Sequence, residues 1–244
     1  MGIEELSELD ILHGIFTTIF VVISLLVGIK ILLKYFEFRR RELITVGIAW
    51  MGMSTPWLGN SLSFLLYILF SYRLELFPYL FIENAFIPIA ITCWIYAFST
   101  LVYPTSIKKM TIIFAVICII YEIILVTALI MNPEIIGTLE GMFDSSHTII
   151  PNAFRIFGIF VVLITGTIFA WKSMNSEDQL VIWKGRFILI AMISFTIGAF
   201  LDAVLTFTPL ELVIVRLLLI SSSIEFYLGF FLPDPIAKVL IKEE

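Results

Sequence analysis

Seven stretches of this sequence are apolar for longer than the about 20 residues that a helix needs to cross a bilayer. They cover about 11–33, 43–70, 76–102, 110–131, 149–171, 187–208 and 210–232. None alternates polar with apolar residues, so the short strands of a membrane barrel are excluded. Helices remain, because a helix pairs its own backbone amides and carbonyls where no water can do so. The composition agrees. Only 14% of the residues are charged and the mean hydropathy is +1.07, against about 25% charged in a soluble domain. The expectation is an all-α, polytopic membrane protein: one seven-transmembrane helical domain over residues 1–244, in the cell membrane, with the lipid bilayer as its constant partner.

Charge between the spans sets the orientation. Lys34, Arg39, Arg40, Arg41, Lys108, Lys109, Lys172, Lys184, Arg186, Lys238 and Lys242 fall on one side. The other side carries Arg73 with Glu4, Glu5, Glu8, Asp10, Glu75, Glu134, Glu140, Asp144 and Glu211. Basic loops stay cytoplasmic, which predicts the N-terminus outside and the C-terminus inside. The acidic start MGIEELSELD lacks the basic region of a signal peptide, so the first stretch reads as a retained span. The connector NPEIIGTLEGMFDSSHTIIP reads as a plain outer loop, with a lid over the bundle as the alternative, and His147 within it as a lone exposed histidine.

Several function classes drop out. No basic patch interleaved with aromatics points to nucleic acid. Cys93 and Cys118 lie inside apolar runs without CxxC spacing and read as buried apolar residues. The only two histidines, His13 and His147, are far apart. They are too few for a two-haem cytochrome and form no zinc-ligand spacing, so no metal and no cofactor are expected. Ser221, Ser222 and Ser223 have no histidine in their span, so no catalytic residues are assigned and an enzyme is not expected.

The chemistry lies in charges placed inside the spans. Counted from the outer ends, Glu83, Glu122, Arg155, Asp202 and Arg216 fall at one level, roughly 9–14 Å deep at 1.5 Å per residue. Asn60 and Asn84 fall near it. An ionised group at mid-membrane costs roughly 2.5–3.5 kcal/mol, and short carboxylate arms cannot reach outward as a long arginine stem can. Pairing inside the bundle satisfies all five, with Asp202, Glu83 or both as counter-charges to Arg216. Helical spacing puts Trp57 on a face with Asn60, Trp94 with Glu83, Asn152 with Arg155, and Ser223 and Tyr227 with Arg216. Gly198, Asp202 and Thr206 share another. Pro56 and Pro88 are expected to kink the second and third spans beside this layer. Ser24/Gly28, Gly59/Ser63, Gly166/Ala170 and Ser194/Gly198 read as helix-packing seams.

Two readings follow: interhelical ties alone, or an outward pocket in which a small-molecule ligand or a proton perturbs the layer. Seven helices with an outer N-terminus resemble the rhodopsin and receptor architecture. Microbial rhodopsins carry a retinal-binding lysine in the seventh helix; this one has Arg216 and no lysine, so no retinal is expected. The DRY and NPxxY motifs of eukaryotic-type receptors are replaced by FSTLVYPTSIKK and IEFYLGFFLPDP. The whole chain, with its closing GFFLPDPIAK, resembles the seven-helix sensor regions that precede histidine kinases in prokaryotic signalling proteins. That resemblance implies a receptor or sensor whose change is read by a cytoplasmic partner protein. An alternative rests on internal echoes: IFVVISLLVG with IFVVLITGTI, and IYAFSTLVYPTSIKK with IEFYLGFFLPDPIAK. A 3+1+3 parallel repeat of this kind resembles the small sugar transporters and PQ-loop carriers, although no Pro-Gln pair occurs, and implies a small-solute or proton-coupled carrier.

Overall fold

A computed structural model describes residues 6–205 and 207–241, so Glu4, Glu5, Thr206 and Lys242 lie outside the described residues. The chain is built of helices α1 (Glu8–Leu33), α2 (Tyr35–Phe38), α3 (Arg41–Met53), α4 (Leu58–Phe70), α5 (Leu76–Asn84), α6 (Ile87–Val102), α7 (Ile107–Met131), α8 (Ile149–Met174), α9 (Gln179–Val204), α10 (Pro209–Phe231) and α11 (Asp234–Leu240). Six segments are long and apolar enough to cross a membrane: Glu8–Phe38, Leu76–Val102, Pro104–Met131, Ile149–Met174, Gln179–Val204 and Pro209–Phe231. This is a helical, multi-pass membrane protein.

The stretch at 43–70, expected as one span, is divided. A 3-10 turn, Thr55–Trp57, separates α3 from α4, and neither half is long enough alone. Pro56 is the cause, since it has no amide to donate to the preceding turn. Thr55 Oγ1 and Ser54 Oγ donate to the carbonyls of Gly52 and Met51 at 2.8 Å each, which satisfies acceptors that the break would strand. A second break falls at Ala85–Phe86, just before Pro88. There Asn84 Nδ2 donates to the carbonyl of Leu80 at 2.8 Å.

Packing follows a ring: α1 against α3 and α4, α3 against α6, α6 against α8, α8 against α9, α9 against α10, and α10 back against α1. α7 packs on the outside of α6 and exposes a run of isoleucines that includes Ile112, Ile119 and Ile123. Between lipid tails and side chains there is no hydrophobic gradient, so close approach and dispersion hold such helices. Gly28 and Gly47 let two helix backbones meet: a Cβ on Gly47 would stand 2.5 Å from the Gly28 carbonyl.

At mid-depth the ring is filled by aromatics. Trp50 stacks on Phe226 with centroids 3.8 Å apart, and both Trp50 and Trp57 contact Phe195. Phe20 meets Trp57 edge-on and Trp94 meets Phe226.

The connector between α7 and α8 is not a plain loop. It forms an antiparallel hairpin of β1 (Gly137–Glu140) and β2 (Asp144–His147), with Gly137 opposite His147. Gly141 turns it at φ +60°, a conformation that a side chain would strain.

Gly47→Ala should push α1 off α3 and cost about 1–3 kcal/mol by overpacking. Gly158→Ala meets only the tip of Ile91, at 3.0 Å, and should cost less. Melting temperatures of the two purified variants in one detergent check the order.

Candidate functional site

Six helices, α1, α4, α5, α8, α9 and α10, and the hairpin converge on a cavity of about 440 Å³ at the hairpin end. It holds two arginine–carboxylate pairs, each joined by one of the two histidines.

The first pair is Arg216 on α10 and Asp202 on α9, 2.6 Å apart. Arg216 is 2% exposed, and three of its nitrogens are taken. Nε donates to Thr17 Oγ1 at 3.0 Å, Nη1 to Asp202 Oδ1, and Nη2 to His13 Nε2 at 2.8 Å. Accepting through Nε2 puts the His13 proton on Nδ1, which faces Asp144 Oδ2 at 3.9 Å. The second Asp202 oxygen accepts from Trp57 Nε1 at 2.7 Å.

The second pair is looser. Arg155 Nη2 on α8 stands 3.4 Å from Glu83 Oε2 on α5 and 2.9 Å from His147 Nε2. That same His147 nitrogen is 3.2 Å from Glu83 Oε2. A neutral Nε2 accepts from Arg155; a protonated one donates to Glu83 and repels Arg155. Ser145 Oγ also donates to Glu83, at 3.1 Å. Arg155 Nε is buried with no partner among the described residues. Room for the Glu83 carboxylate comes from Gly59, where a Cβ would stand 2.6 Å from Glu83 Cγ; Gly59 is thus more than a packing seam.

The hairpin closes over both pairs. The Phe143 carbonyl accepts from Asn60 Nδ2 at 2.9 Å and from Tyr79 OH at 2.7 Å. The Phe143 ring wedges between Phe64 and Tyr67. Asn152 Nδ2 donates to the His147 carbonyl at 3.0 Å, and Arg73 Nη2 to the Gly141 carbonyl at 2.9 Å. His147, read from sequence as exposed, has a side chain only 5% exposed.

Asn60, Glu83, Arg155, Asp202, Arg216, Trp57 and Asn152 all line this cavity. Asn84 is fully buried beside it, 3.4 Å from His147 Nε2. Four expected members stand elsewhere. Glu122 sits on the peripheral α7, where its Oε2 has no partner among the described residues; depth placed it with the others, but α7 lies outside the ring. Trp94 Nε1 donates to Thr165 Oγ1 at 2.7 Å, a tie within the core. Ser223 bonds Ser24 at 2.8 Å, joining α10 to α1. Tyr227 lies under Lys30 at the opposite, basic end. The spacing from Arg216 found the right face for both, but about two and three turns deeper than Arg216. His13, Asp144, Ser145 and His147 were not expected. For His13 the only signal was its position four residues before Thr17, facing the same side of α1.

Two hairpin groups titrate unusually. Asp144 is reached by water yet crowded by protein, and desolvation, then Asp202 and Glu83, push its carboxyl up to about 6, against a lowering backbone bond from Ser145 and the Arg216 charge. Desolvation and then Arg155 hold the His147 imidazole below its usual value, although Glu83 pulls it up.

No family model matches the chain and no curated protein matches it.

Neutralising one member of the buried pair should cost about 3–5 kcal/mol, less where water reaches the survivor. Arg216→Leu leaves Asp202 partly wet, and Asp202→Leu leaves Arg216 dry, so the second variant should melt lower. The double variant should recover much of the loss, and a double-mutant cycle that shows no coupling refutes the pairing.

An acid whose pKa is raised on folding adds stability that is full below its unfolded value, about 3.9, and lost as pH rises through about 6. Asp144→Asn should therefore stabilise the protein relative to the parent above pH 6 and not below pH 4, as read by melting temperature against pH. The histidine acts in the other sense: its contribution is present above about 6.5 and lost as pH falls through its lowered value. His147→Gln should flatten that acid limb.

Proposed function

We propose that this chain is a receptor- or sensor-like protein of the cell membrane. On this reading α3 and α4 together form the second of seven crossings, the hairpin end with the N-terminus faces outward, and the basic end faces the cytoplasm. The observation that carries it is the contrast between the two pairs in one cavity. Arg216 donates from all three of its nitrogens and acts as a lock. Arg155 holds its carboxylate at 3.4 Å, shares it with His147 and Ser145, and keeps a buried Nε without a partner. A small ligand with an anionic group can replace Glu83 at Arg155, and a proton on His147 can move Glu83 from Arg155 to the imidazole. Either event alters the hold of β2 on the bundle, because Ser145 and His147 belong to that strand.

The cavity volume of about 440 Å³ lies within the range of about 300–1,000 Å³ usual for small-molecule sites. Beneath it the aromatic floor around Trp50, Phe195 and Phe226 supports a sensor rather than an open path. The readout is a shift of the ring helices that a cytoplasmic partner protein detects at the basic end.

A carrier is the second reading, and the ring order favours it. Exchanging the first three crossings with the last three leaves the order of neighbours unchanged, with α7 outside as the linker. A separate cavity at the basic end adds to that case.

Melting of the purified protein across pH 4–9 and against a small-molecule library tests the site. A ligand at a hundredfold excess over Kd should stabilise by about 2.7 kcal/mol, in the parent and at least as much in Glu83→Gln, which removes the competing carboxylate, but not in Arg155→Gln. Equal stabilisation of the parent and both variants would remove the site. Uptake of the same compound into proteoliposomes would assign the chain to the carriers.

A further inference from the structure

A cavity of about 820 Å³ lies at the basic end, away from the charged vestibule. We infer that it is a second binding site, for an amphipathic phosphate: a phosphate group on an apolar body, as in an anionic phospholipid.

The charge balance is the first argument. Lys30, Lys34, Arg40 and Lys184 line the cavity, from α1, the segment before α3, and α9. Two of these are compensated: Lys34 pairs with Glu37, and Arg40 stands 4.0 Å from Glu42. Lys30 and Lys184 have no carboxylate within ion-pair distance among the described residues. Lys30 Nζ instead lies 4.6 Å from the centre of the Tyr227 ring. Two ammonium groups, on the helices α1 and α9 that flank α10, thus face one space whose lining carboxylates, Glu42 and Asp234, pair with neither. An anion that enters gains both without displacing a carboxylate. This is unlike the vestibule, where each arginine already has one.

The second argument is the wall. Beyond the cations the lining is apolar, with Phe169, Ile188, Phe230 and Val46 on four different helices. A site for a free inorganic anion has no use for such a wall, and about 820 Å³ is far more space than one oxyanion fills. The arrangement is a polar rim over an apolar pocket, which matches a charged headgroup and a hydrocarbon body.

The third argument is how the pocket is bounded. A Cβ on Gly229 would meet Ile188 at 2.4 Å, and one on Gly185 would meet the Ala170 carbonyl at 2.9 Å. The α9–α10 and α8–α9 contacts are therefore closed tightly, and the space is not a gap between loosely packed helices. At the end of α10 the backbone turns at Leu232, φ 29°, and brings Pro233, Asp234 and Pro235 to the cavity wall.

The test uses the full chain in a nonionic detergent, with native mass spectrometry to count bound molecules. The probes are dihexanoyl phosphatidic acid, dihexanoyl phosphatidylcholine and inorganic phosphate at equal concentration. One phosphatidic acid should bind per chain, and at least about tenfold more tightly than phosphatidylcholine. Lys30→Gln and Lys184→Gln should each weaken it about fivefold, the worth of one lysine near a lipid headgroup. Lys108→Gln, a basic residue that does not line the cavity, should leave it unchanged. Should a lysine variant prove unstable, Phe169→Trp, which enlarges a half-buried ring of the apolar wall and keeps both cations, should abolish binding of the phosphatidic acid. Equal retention of phosphatidylcholine would overturn the inference. So would inorganic phosphate binding as tightly as the lipid, or full phosphatidic acid affinity in the double variant Lys30→Gln/Lys184→Gln.

Discussion

A guanidinium inside a membrane protein has no water to satisfy it, so its donors must be met by the chain. Arg216 meets this demand with groups from both ends of the sequence. Thr17 and His13 come from α1, and Asp202 from α9. The result is more than charge compensation. α1 and α10 are about two hundred residues apart in sequence, and the arginine closes the ring between them. The Ser24–Ser223 bond repeats that closure two turns deeper. Residues that would otherwise be separate liabilities in hydrocarbon become the fastener of the bundle. The partners are also chemically matched: Trp57 takes the remaining Asp202 oxygen, so neither ion is left half-bonded.

The second pair obeys the same constraint differently. Arg155 and Glu83 are not saturated by helices alone, and the hairpin supplies Ser145 and His147 to complete them. A two-stranded hairpin has little stability of its own. Here its turn is held through the Phe143 carbonyl and ring, and its second strand through the buried charges. The hairpin and the Arg155 pair therefore depend on each other. Loss of either one exposes a carboxylate that Gly59 has made room for, at a point where the α5–α6 break already interrupts the backbone.

The helical class could be read from uninterrupted apolar length, and the pairing of Arg216 with a carboxylate at its own level, Asp202 or Glu83, from depth, because both follow from one-dimensional rules. Both proline breaks were also legible, since proline acts locally. The failures share another cause. Depth fixes a residue's height in the bundle but not its place around it, so Glu122, at the right height, ended on the peripheral α7. Helical phase fixes a face but not how far along it the cavity extends, so Ser223 and Tyr227 ended below the floor. The hairpin escaped because its pairing is set by what lies beneath it. Phe143 looks like a stray apolar residue in an acidic loop until Asn60 and Tyr79 meet its carbonyl. His13 looked solitary because its arginine is far away in sequence, and His147, though only eight residues before Arg155, because a loop reading hid the strand that turns it inward.

α10 is the element on which these features meet. Near its start Arg216 binds the vestibule, at its middle Phe226 stacks on Trp50, and toward its end Tyr227 and Phe230 line the basic-end cavity. Its neighbours are packed too closely to yield independently: Gly198 admits Leu219 on one side, and Gly229 admits Ile188 further down. A helix gripped this way moves as a body or not at all. On the proposed reading, a ligand at Arg155 does not touch α10 directly. It acts through β2, where Asp144 stands between His13 and the second pair, and so through the residues that hold Arg216. Rotation of α10 by even a small angle would slide Phe226 on Trp50 and change the space between Lys30 and Lys184. The two cavities would then be coupled through one helix, without any continuous channel between them.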